Sequence, residues 1–122
     1  MTGTFDDFAS RTFVKVAIRM QKSLDIDVKA FEMIVGLPES EFERYLQDVP
    51  PKAPSEVANR TRLFATTLAN LSRIVGEKND DTLRSWLYSE NTTLHGKPID
   101  LMQTQDGLTE VSEYVADRLD RH

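Results

Sequence analysis

Two histidines, twenty carboxylates and a scatter of serines are the side chains of this sequence that could do acid–base, metal or nucleophilic chemistry. Metal binding needs ligands at set spacings. Neither His95, in a turn sequence, nor His122 has a partner at one, so no metal site is expected. Asp80 and Asp81 stand where a helix begins, a place that unpaired backbone amides make favourable for negative charge. Glu110, Glu113, Asp117 and Asp120 run beside an apolar stripe and read as a solvated helix face. No serine lies in a nucleophile-elbow sequence, and Gly96 and Gly107 are isolated rather than part of a phosphate-cradling loop. Cysteine is absent, which removes disulfides, thiolate catalysis and cysteine zinc sites and fits a reducing cytoplasm. The expectation is a protein that is not an enzyme and uses no cofactor.

Nucleic-acid recognition is the next chemistry to weigh. The pattern helix, short glycine-containing turn, helix across residues 27–47 reads as a helix-turn-helix. Its second helix would present Glu39, Ser40, Glu41, Glu43 and Arg44. A carboxylate can accept a hydrogen bond from cytosine, but three of them beside phosphates are costly without basic help. Ser40, Arg44 and Lys52 are the candidate DNA contacts, with Arg60 and Arg62 on the next helix as further support. Two readings stay open: a helix-turn-helix shape kept as scaffold, or modest specific DNA binding by a dimer.

The elements that must position these residues are all helical, because no long stretch alternates apolar and polar residues. Phe13, Ala17 and Met20 form one stripe, flanked by Val14 and Ile18, with Asp6 and Asp7 near the helix start. Asp27 caps a short helix that buries Val28, Phe31, Ile34 and Val35 and that Gly36 ends. Pro38 opens the following helix, which packs through Phe42, Tyr45 and Leu46. Pro50, Pro51 and Pro54 then break the chain. Ser55 is expected to cap the longest helix, about 56–75, with Leu63, Phe64, Thr67, Leu68, Leu71, Ile74 and Val75 on a wide stripe. Asn79 or Asp80 opens a helix that buries Leu83, Trp86 and Leu87. Pro98 starts a single turn sealed by Ile99, Leu101 and Met102, and Thr104 caps a last helix carrying Leu108, Val111, Val115 and Leu119. Three units follow: 1–54, a degenerate helix-turn-helix region; 55–78, a connecting helix shared by both sides; and 79–122, a compact C-terminal unit.

At 122 residues, with 39% hydrophobic and 29% charged side chains, the composition suits one soluble globular domain or two small units sharing a core. No apolar run spans a bilayer, and no secretory signal opens the sequence. The formal charge of −5 is unevenly placed. Residues 80–122 carry four bases and nine acids, whereas residues 52–79 carry five bases and two acids. The acidic C-terminal third repels a phosphate backbone and attracts a basic protein.

Trp86-Leu87, Asn91, Leu94, Gly96, Pro98, Leu101-Met102, Thr104, Gly107 and Val111 stand in an order that resembles the toxin-binding domain of the MbcA/ParS/Xre antitoxins. The resemblance is strong over about residues 70–120 and much weaker over the N-terminal half, which is similar to the family's reduced Xre-like region. It implies an antitoxin of a type II toxin–antitoxin system. Its partner would be a RES-domain toxin that consumes NAD or transfers from it, with the toxin's active site occluded. It also implies operon autoregulation through operator DNA, weak or toxin-dependent given the acidic helix, and a homodimer or a higher hetero-oligomer with toxin. The alternative is a helix-turn-helix transcriptional regulator without a toxin partner. The toxin would meet the last helix and tail, where Glu113, Tyr114, Asp117, Arg118, Arg121 and His122 are the exposed candidates. The motif residues have structural uses of their own: Asn91 bonds its own turn, Gly96 permits a tight backbone approach, and Gly107 allows close packing against Trp86. Trp86 itself is read as core, with direct partner contact as the other option.

Overall fold

The structure, a computed structural model, describes residues 3–76 and 79–121, with side chains from residue 12 onward. Its elements are α1 (Gly3–Ser23), α2 (Val28–Val35), a 3-10 turn (Glu39–Glu41), α3 (Phe42–Tyr45), α4 (Ser55–Val75), α5 (Asp80–Tyr88), α6 (Pro98–Leu101) and α7 (Gln105–Arg121). The fold is all-α; among the described residues the β pairing is one isolated bridge, Asn91 to Gly96. No helix among them is long and apolar enough to cross a membrane.

α1 buries Val14, Ala17, Ile18 and Gln21, so the face centre is rotated from the expected stripe and Phe13 and Met20 lie half-buried at its flanks. Gln21 is buried because its side-chain amide donates to the Ile26 carbonyl at 2.8 Å. That bond holds the reversal into α2, where Asp25 takes a left-handed φ of 52°. Asp27 caps α2 as expected: its carboxylate accepts from the Ala30 amide at 3.0 Å. Gly36, at φ 73°, ends α2 in the left-handed conformation that glycine adopts without a Cβ penalty.

The second member of the helix-turn-helix pattern differs from the single helix read in the sequence. It is a 3-10 turn followed by one α turn, and of its side chains only Phe42 and Tyr45 are buried. Two anchors three residues apart hold one turn, and too little apolar surface follows to extend it. Phe42 meets Phe31 edge-to-face at 5.5 Å, and Phe31 meets Phe64 of α4 at 5.3 Å, so three aromatic rings form the N-terminal core.

Pro54 occupies the N-cap of α4, without a side-chain capping bond. Ser55, expected there as the cap, is instead the first helical residue. α4 packs against α1 and α2 and also against α5 and α7. Val57, Thr61, Phe64, Ala65, Thr67, Leu68 and Leu71 are buried, with Leu63, Ile74 and Val75 partly so. The two buried hydroxyls are satisfied within the helix, Thr61 donating to the Val57 carbonyl at 2.8 Å and Thr67 to that of Leu63 at 2.6 Å. Arg60, also on α4, donates to the Met33 carbonyl at 3.3 Å and pairs with Glu56 at 2.9 Å, placing a cation at the C-terminal end of α2.

Candidate functional site

The C-terminal helices are assembled around one short loop. Asn91 organises it: its amide donates to the Gly96 carbonyl at 2.9 Å, and its own carbonyl accepts from His95 at 2.8 Å and Gly96 at 3.3 Å. Its side-chain oxygen accepts from the Leu94 amide at 3.0 Å. Leu94 is thereby turned into the core. The left-handed residue of this turn is His95, at φ 64°, not Gly96. A Cβ on Gly96 would meet the Leu101 side chain at 3.4 Å, an ordinary contact, so the tight approach expected there is not what the position requires.

Pro98 starts α6 as expected and is itself buried, while Ile99 and Met102 seal the turn. Thr104 then caps α7, its hydroxyl accepting from the Gly107 amide at 3.0 Å. Gly107 is the position where a close approach is decisive. A Cβ there would lie 1.8 Å from the Leu101 carbonyl oxygen. Its neighbour is therefore the α6 backbone rather than Trp86, which corrects the packing expected from the sequence.

α5 and α7 bury Leu83 and Leu87, and Leu108, Val111 and Val115, respectively. Leu119 is partly buried. Asn79 is the N-cap residue of α5, yet its side chain makes no capping bond; it donates to the Val75 carbonyl at 3.0 Å and accepts from the Thr82 hydroxyl at 3.0 Å. Trp86 is half-buried, not enclosed. Its indole stacks on Tyr114 of α7, with ring centroids 6.3 Å apart and planes at 17°. The Arg118 guanidinium lies 5.8 Å from the Tyr114 ring centre.

Residues 71–120 match the family model of the antitoxin Xre/MbcA/ParS C-terminal toxin-binding domain. That stretch is similar to an antitoxin's toxin-binding domain. The match runs from the last residues of α4 through α7, over nearly the span on which the sequence resemblance rests. A search of curated proteins finds no match. Within the matched stretch, Leu87, Leu94, Pro98, Met102 and Val111 are core, while Leu101 is half-buried between the glycines at 96 and 107.

The residues proposed from sequence to meet a toxin share one helix face. Glu113, Asp117, Arg118 and Arg121 are exposed on α7 and Tyr114 is half-buried among them. Asp117 and Arg121 form an exposed ion pair at 3.3 Å. His122 lies outside the described residues. Ser40, Arg44 and Lys52, the candidate DNA contacts, are all exposed in the N-terminal half. Arg44 pairs with Glu41 at 2.9 Å, so part of the acidic character of that segment is locally compensated. Among the described residues no group of three His, Asp or Glu side chains is placed to hold a metal ion.

Sequence reasoning missed the seam between the matched stretch and the N-terminal half. The Asp27 amide donates to the Tyr88 hydroxyl at 2.9 Å, and Arg84 donates to the Asp25 carbonyl at 3.3 Å while lying 4.6 Å from the centre of the Tyr88 ring. These partners are about 60 residues apart in sequence, and no local pattern signals them.

Proposed function

We propose that this chain is the antitoxin of a type II toxin–antitoxin system and neutralises a RES-domain toxin by covering its active site. The observation that carries this reading is the toxin-binding-domain match over residues 71–120. The toxin is read as an enzyme that consumes NAD or transfers ADP-ribose from it, acting in the cytoplasm. Glu113, Tyr114, Asp117, Arg118 and Arg121 are the contacts proposed on α7, with His122 beyond them. The acidic surplus of residues 80–122 favours a basic cleft on the partner and speeds its encounter. Operon autoregulation, as a dimer or a hetero-oligomer with toxin, rests on Ser40, Arg44 and Lys52. The acidic turn at Glu39–Glu41 keeps that binding weak unless toxin gathers several copies.

The test is co-expression with a RES-domain toxin, purification of any complex, and NAD turnover with and without the chain. A stable complex with suppressed turnover is the expected result; no complex and no suppression overturns it. Deleting α7 is a poor follow-up, because Val111 and Val115 are core and the fold would be lost with them. Reversing charge at Glu113 and Asp117 to lysine leaves that core intact and should weaken suppression.

A further inference from the structure

We propose that the row Trp86–Tyr114–Arg118, across the seam between α5 and α7, is the anchor on which the toxin docks. This inference rests on the antitoxin reading above and adds a site to it. Its partner face would be an apolar knob bordered by lysine or arginine.

Three observations support the row. Trp86 and Tyr114 each put one side against the core and keep part of the ring in solvent, so two aromatic surfaces are held rigid at the surface by packing below them. A preorganised aromatic loses little side-chain entropy when a partner covers it, which is why Trp, Tyr and Arg dominate the energetics of protein interfaces. The rings are nearly parallel, and the Arg118 guanidinium lies over the Tyr114 ring, so indole, phenol and guanidinium form one row. An apolar side chain laid against the solvent-exposed parts of this row would remove water from it and strengthen the cation–aromatic contact of Arg118 with Tyr114. Finally, Glu110, Tyr114, Asp117, Arg118 and Arg121 fall on one side of α7 at helical spacing, all but Tyr114 exposed. Glu110 and Asp117 therefore stand beside the aromatic pair as the acidic border, and Arg121 is already partnered by Asp117.

The partner is taken to be the toxin because both helices lie inside the matched toxin-binding stretch and because the surrounding third of the chain is acidic.

The chain has a single tryptophan, so labelling it alone with 5-fluorotryptophan yields one fluorine NMR signal from Trp86. Titration with the unlabelled RES-domain toxin should shift that signal and protect it from a solvent paramagnetic probe. In parallel, Tyr114→Ala and Arg118→Ala should each weaken toxin binding at least about tenfold, with helicity retained by circular dichroism. A complex that forms while the Trp86 signal stays unmoved, with both variants binding as the parent, overturns the anchor and leaves the antitoxin reading standing. A signal that shifts with the chain's own concentration, without toxin, assigns the surface to a second copy and overturns the toxin as its occupant. Failure to form any complex removes both proposals together.

Discussion

Gly96 and Gly107 are both motif glycines, and nothing in the order of residues separates them. In the folded chain one is replaceable and the other is not. Gly96→Ala adds a methyl that touches the flexible Leu101 side chain at 3.4 Å, and its stability should stay within about 0.5 kcal/mol of the parent. Gly107→Ala drives the same methyl into the Leu101 carbonyl, a backbone atom that moves only if α6 moves. It should cost about 1–3 kcal/mol or more. Thermal unfolding of the two variants side by side checks this; equal midpoints would mean that α6 can slide without penalty. Asn91 and Thr104 belong to the same scale, and both were legible in advance, because each bonds backbone three residues away.

At the scale of elements, α5 has two working flanks. Trp86 faces α7, and Arg84 with Tyr88 faces the reversal between α1 and α2. The Asp27 amide precedes the first turn of α2, so the Tyr88 hydroxyl satisfies a donor at the entry to that helix. Tyr88→Phe removes the acceptor while leaving the ring under Arg84. The expected loss is about 1 kcal/mol, because water reaches the exposed Asp27 amide and replaces part of the bond. Faster hydrogen exchange at Asp27, with little change around Leu108 and Val111, is the signature to look for. Exchange unchanged at Asp27 would place its protection elsewhere. The helix-turn-helix pattern was half legible at this scale: α2 with its Asp27 and Gly36 boundaries, but not the collapse of its successor into a 3-10 turn and one α turn. That outcome depends on how much apolar surface α1 and α4 leave for the segment to cover, which local periodicity does not encode.

For the whole molecule, α4 is the shared support. Phe64 is fully buried and closes the aromatic group with Phe31, while Leu68 and Leu71 continue the buried stripe towards the end of the same helix, which also packs on α7. Phe64→Ala should cost about 3–5 kcal/mol. If α4 couples the two halves, Trp86 fluorescence and far-UV circular dichroism will shift to lower denaturant together and remain superimposable. Separate transitions, with Trp86 melting as in the parent, would mean that residues 79–121 hold together without the N-terminal helices. The same coupling gives the Tyr88 and Arg84 contacts their interest: they lie where a load on α5 reaches the entry to α2.

The sequence by itself determined the helical class, the main breaks, the caps at Asp27 and Thr104, the turn at Asn91 and the likeness to a toxin-binding domain, because each is written in residues a few positions apart or in an ordered motif. Only the tertiary structure decided that Trp86 keeps a solvent face, that Gly107 makes room for the Leu101 carbonyl, and that Tyr88 receives the Asp27 amide from 61 residues away. These facts depend on where two helices come to rest against a third. That position minimises exposed apolar surface over the whole chain at once, and no local window contains it.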